Sequence, residues 1–175
     1  MLLRQDELNV ITGDLKQLNG DVNKAVEMLS DWLFLAYADG KTDVEEQLNG
    51  NVDTPVDHVM DVVSAVTAGK TAFERLVDYV YLEDIEALIT LFSNERHRVY
   101  NTAGYDTAKS LNAEKKVWHC LKLPTSRDTH IYLDGMKKGI DDNFYTYNGD
   151  AAQHPGAFGI AEEDINCLCY LTYSK

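Results

Sequence analysis

The chain has 175 residues, 45% hydrophobic and 26% charged, which is the composition of a folded domain with a modest core and excludes a disordered chain. No apolar run approaches the roughly 20 residues that span a bilayer, and the opening MLLRQDELNV carries no long apolar segment of the secretory kind. A soluble, cytosolically made protein without a membrane role is therefore expected. Net charge is −13 and unevenly placed: residues 1–104 hold 8 Lys/Arg against 19 Asp/Glu, a balance of −11, and residues 105–175 hold 8 against 10, a balance of −2. Such an acidic front half repels a phosphate backbone, so direct DNA binding there is not expected, and a basic protein partner is favoured electrostatically.

The front half reads as helices. Leu15, Leu18, Val22, Val26, Leu29, Leu33 and Ala36 recur at helical spacing, and Asp39-Gly40 reads as the stop. Residues 41–53, KTDVEEQLNGNVD, read as a polar loop with room for a short helical turn. Thr54-Pro55 is expected to cap and open the next helix, with Val56, Val59, Met60, Val63 and Val66 on its apolar face and Gly69 as its close. Thr71-Ala72-Phe73-Glu74 has the form of a capping box, followed by the stripe Phe73, Leu76, Val77 and Val80. A further helix is expected to carry Leu82, Ile85, Leu88, Ile89, Phe92, Val99 and Tyr100. Gly69-Lys70-Thr71 is not a nucleotide loop, because a P-loop needs a glycine where Ser64 stands.

The pattern changes near Lys115. KVWHCLKL, residues 116–123, is a strand candidate halted by Pro124, and Ser126 is placed to cap a short helical turn ended by Asp134-Gly135. NFYTYNGD, residues 143–150, reads as an aromatic strand entering an Asn-Gly turn, HPGAFG as a loop, and residues 161–165 as one helical turn. CLCYLTY, residues 167–173, reads as a closing strand. The expected fold class is α+β: a helical region over 1–114 packed against a small β-containing module over 115–175, with the helices from about 70 joined to that module as one compact unit.

Glu95, Arg98 and Asn101, then Trp118, then Arg127-Asp128-Thr129-His130, the corner Leu133-Asp134-Gly135, Phe144, the Pro155-Gly156 loop, and finally Asn166, Cys167 and Cys169 follow one another in that order. The series resembles the phage Mu F-like minor head proteins, also called the phage head morphogenesis domain, over about residues 94–173. AGKTAFERL, residues 68–76, is similar to a segment in the helical part of these proteins. The chain departs from the pattern at Asn94, where the family has Thr, at Leu168, where it has Arg, and at Leu123-Pro124-Thr125, where an acid and an Arg are usual. The resemblance implies a structural minor head protein of a tailed phage or prophage, made in the host bacterial cytoplasm and built into the virion head. Its implied partners are portal or capsid proteins, and it implies no settled catalytic activity. It also raises the expectation that Glu95 and Arg98 face the C-terminal module and join the halves by buried hydrogen bonds.

Two chemical readings compete with a purely structural one. Asp128 could orient His130 as the general base of a metal-dependent nuclease or toxin-related enzyme. An acid and a histidine two residues apart have no preferred mutual geometry on a helix, so Asp128 and Arg127 are read instead as holding backbone and Asn166 at a corner. Cys167 and Cys169 would share one face of a strand, and with His130, and His119 or His154, they could hold zinc. Against zinc, paired structural cysteines are usually spaced by two or more residues, and free cysteine is an ordinary buried hydrophobe. Neither a cofactor nor a disulfide framework is expected from three cysteines in a cytosolic chain.

Overall fold

The computed structural model describes residues 5–67 and 69–175, with side chains from residue 9 onward; the first residues of the opening segment and Ala68 lie outside the described residues. The front half is helical: α1 (Gln5–Leu15), α2 (Val22–Leu48), α3 (Val56–Val63), α4 (Ala72–Tyr81) and α5 (Ile85–Ser110). The C-terminal module follows as β1 (Lys115–His119), α6 (Asp128–Leu133), β2 (Lys137–Gly139), β3 (Phe144–Tyr145), β4 (Ala151–Ala152), α7 (Ala161–Asp164) and β5 (Tyr170–Ser174). This is an α+β fold, a helical front packed on a small antiparallel sheet.

Helix α2 runs straight through the expected stop at Asp39-Gly40 and through most of the expected loop. Its stripe does not end there: Leu33, Tyr37, Gly40, Val44 and Leu48 are all buried, at spacings of three and four. Gly40 is a contact point rather than a terminator. A Cβ on it would lie 2.2 Å from the Tyr100 carbonyl oxygen, so only glycine lets α2 and α5 cross this closely. The helix ends at Asn49, in the left-handed region with φ 49°, where the Asn49 and Gly50 amides donate to Glu46 and Glu45 carbonyls.

Helix α3 begins after Pro55, and Thr54 provides no side-chain cap. The helix is only eight residues long, so Val66 lies beyond it, and Val56, Met60 and Val66 are exposed where an apolar face was expected. The buried face is Val62 and Val63, with Val59 against the core. The capping box of α4 forms as expected: Glu74 N–H donates to Thr71 Oγ1 at 3.1 Å and Thr71 N–H to Glu74 Oε2 at 2.7 Å. Leu82 sits exposed at the end of α4 rather than on α5, which starts behind Asp84, the acceptor of the Ala87 amide at 3.0 Å.

The module's sheet has the order β2-β1-β5, antiparallel throughout, with Lys116 opposite Tyr173 and Trp118 opposite Leu171. β1 is shorter than the apolar run of residues 116–123. The Cys120 amide leaves the ladder and donates to Asp134 Oδ1 at 2.9 Å. β5 likewise starts only at Tyr170, so Cys167 and Cys169 precede the strand instead of lying within it. Helix α5 belongs to two cores. Leu88, Leu91, Phe92 and Val99 join the apolar cluster of α1 to α4, and Tyr105 and Ala108 join a second cluster around Trp118, Leu133, Phe144 and the cysteines.

Candidate functional site

The site is built by three short pieces that a local corner brings together. Arg127 heads α6, with its guanidinium donating to the Ile165 carbonyl, and Ser126 does not cap the helix but accepts from the Leu123 amide at 2.8 Å. At the far end Gly135, with φ +78°, donates its amide to the Trp118 carbonyl at 2.8 Å, a left-handed turn that swings α6 back onto β1. Asp134 fixes the corner by accepting from the Cys120 amide and pairing Lys122 at 2.6 Å, and the backbone bond is the first cause of its lowered pKa. The Leu-Asp-Gly motif is therefore a corner, with each polar atom given a structural partner.

The turn of α6 drives His130 into the interior, where it is 2% exposed. Its Nδ1 lies 3.5 Å from Cys167 Sγ and 3.4 Å from Cys169 Sγ. Its Nε2 lies 2.9 Å from Glu163 Oε2, which also accepts from Thr129 Oγ1 at 2.9 Å. That contact is a close charge-type approach and not an aligned hydrogen bond, since Nε2 has no hydrogen-bond partner of good geometry. Phe158 stacks on the imidazole at 5.6 Å and Trp118 meets it edge-on at 5.9 Å. The two thiols interact strongly. Hydrogen bonding with Cys169 holds the Cys167 thiol well below the ordinary range, helped by His130 and His97, and the same bond with burial pushes Cys169 up.

Asp128 is not part of this arrangement. It is exposed in the first turn of α6, and the carboxylate beside His130 is that of Glu163. The expected Asp128–His130 pair is thus replaced by a pair that no short-range pattern reveals, because Glu163 sits in the acidic run AEED with nothing to mark it as buried. His119 and His154 are elsewhere: His119 contacts Thr172 Oγ1 at 2.7 Å and stacks on Tyr170, and buried His154 packs on Tyr105.

The joint between front and module uses other residues than those expected. Glu95 is buried, but its carboxylate sits between Arg75 Nη2 at 2.5 Å and Arg98 Nε at 2.8 Å, both from the helical front. Arg98 reaches further into the front, donating to the Val62 carbonyl at 3.0 Å. Two of the bonds that cross to the module come from neighbouring positions on the same helix. Asn94 Oδ1 accepts from the Asn166 amide at 2.8 Å, and Asn101 Nδ2 reaches the Cys169 carbonyl at 3.5 Å. Asn166 therefore bonds to Asn94 and not to the Arg127-Asp128 corner. Gly156 seats directly on the Arg98 backbone, where a Cβ would come within 3.3 Å of its Cα.

Residues 57–172 match the family described as Phage Mu protein F like protein. The chain belongs to that family. Two curated relatives place it further. NAD(+)–arginine ADP-ribosyltransferase EFV of Enterococcus faecalis is 29% identical, over 65% of this chain and 30% of that protein. Minor head protein GP7 of Bacillus phage SPP1 is 32% identical, over 45% of this chain and 27% of that protein. The chain thus spans less than a third of the length of either relative. No solved structure matches it.

Proposed function

We propose that this Mu F-like chain works as a structural component of phage heads, assisting head assembly or DNA delivery near the portal through protein contacts. The observation that carries the reading is the family match over residues 57–172, together with a relative named as a minor head protein. The geometry of the motif supports it. Arg127 and Asp134 serve backbone atoms, Gly135 and Asn166 contribute their own backbone amides, and the cavity beside Cys167 and Cys169 is only about 20 Å³, room for about one water and not for a substrate. Among the described residues no helix is long and apolar enough to cross a membrane. The expected location is the virion head.

The acidic front, with its balance of −11, is the expected docking surface for a portal or capsid protein carrying complementary charge. Mass spectrometry of purified heads and procapsids from the encoding phage or induced prophage tests the role, with a few copies per head as the expected result. Absence from both particles would overturn it. Lysine substitutions across exposed acids of the front should weaken partner binding, and unchanged binding would dismiss the docking surface.

The enzymatic alternative draws on the relative named for ADP-ribosyl transfer, of which this chain covers 30%. For a nuclease built on Asp128 and His130, the exposed acid and the buried imidazole do not converge. Metal-supplemented cleavage assays on DNA and RNA, with His130→Ala as control, are expected to show no specific activity.

A further inference from the structure

We propose that Cys167, Cys169 and His130 form a zinc site, with a water in the fourth position and Glu163 standing behind His130. Three donor atoms of the kinds zinc prefers, two sulfurs and one imidazole nitrogen, lie within 4.8 Å of one another in the interior. Their spacing fits a common ion. Bonds of about 2.3 Å to sulfur and about 2.0–2.1 Å to nitrogen at a tetrahedral angle put S and N about 3.5 Å apart. The observed separations are 3.5 and 3.4 Å.

The outer side of His130 has the form a ligating imidazole requires. Glu163 stands 2.9 Å from Nε2, an unaligned approach, and is itself held by Thr129; its carboxylate favours the proton on Nε2 and leaves Nδ1, the nitrogen facing the sulfurs, as the donor atom. The cavity of about 20 Å³ beside His130, Cys167 and Cys169 has room for the water in the fourth position. Ligands from α6 and the segment before β5 would thus be tied at one point. The ion takes both sulfurs as thiolates, and the thiol proton it displaces passes to solvent.

A nucleophilic cysteine is the other chemistry such a group suggests. Cys167 and Cys169 are 3% and 2% exposed, which gives an electrophile no approach, whereas a structural ion needs none.

The test is cobalt titration of the full chain, purified and kept reduced, with native mass spectrometry of the zinc-reconstituted protein. One ion per chain is expected, with thiolate-to-cobalt charge-transfer absorption and the intense ligand-field bands of a tetrahedral site. Glu163→Gln should weaken cobalt affinity by about 10–100-fold, the usual cost of removing a carboxylate behind a ligating histidine. A folded, reduced wild-type chain that takes up cobalt without thiolate charge transfer, or takes up none, overturns the site, and this arm needs no variant to fold.

Discussion

The two cores of this chain are built on opposite principles. The front cluster is mostly Leu, Val, Ala and Ile on helix stripes, joined by Tyr37 and Phe92, and the module's cluster is richer in aromatics and sulfur, with Lys116, His130, Thr146, His154 and Glu163 buried around it. Backbone satisfaction explains the difference. A helix of 26 or 27 residues bonds its own main chain, so its side chains are free to be apolar. The module's elements are two to six residues long and leave many amides and carbonyls unpaired. Side chains fill the gap: Asp164 takes the Phe158 and Gly159 amides, Asp142 takes Gly139, Lys116 donates to the Gln153 carbonyl, and Tyr105 to that of Ile140. A small domain of short elements is polar inside because its backbone requires it.

That contrast can be broken at the front's own polar exception. Glu95→Ala removes the carboxylate from between Arg75 and Arg98 and leaves a buried cation unpaired, an expected loss of about 3–5 kcal/mol in urea unfolding. Loss below about 1 kcal/mol would mean the arginines find water or other partners. Gly40→Ala attacks the helix crossing. Its methyl meets a backbone oxygen that no rotamer change can move, so destabilisation near or above about 3 kcal/mol is expected.

Acid sharpens the comparison, because it acts on the module. Burial lowers His154 from 6.5 to about 4. Between those values the unfolded chain binds the extra proton, so stability rises with pH there and is lost as pH falls from 6.5 toward 4. At pH 5 the loss from this group is about 2 kcal/mol, absent in His154→Phe if the ring still packs on Tyr105. Hydrogen exchange should show the module's amides losing protection before those of α2. The smallest effect belongs to the front's surface: Thr71→Ala should cost about 1 kcal/mol through the lost capping box, with α4 fraying and the module untouched.

What was legible in the sequence follows the same division. The stripes of α4 and α5 and the Thr71–Glu74 box could be read because their determinants lie within a few residues of one another. Gly40 was misread because a helix stop and a close helix crossing both ask for glycine, and only Tyr100, far along the chain, distinguishes them. The polar run after it hid Val44 and Leu48, which continue the buried stripe. In the module, the likeness of ordered motifs located the corner, but nearness in sequence proposed Asp128 for His130 where the fold supplies Glu163.

The central position of β1 has a consequence for the order in which the chain can fold. β2, at Lys137–Gly139, becomes available soon after β1 is synthesised, and pairs one of its edges. The other edge has to wait for Tyr170–Ser174. Until then β1, which carries Trp118, presents an open ladder, while the helices preceding it are already complete. Ribosome-bound chains ending before residue 170 are the species in which this edge is exposed to pairing with other strands.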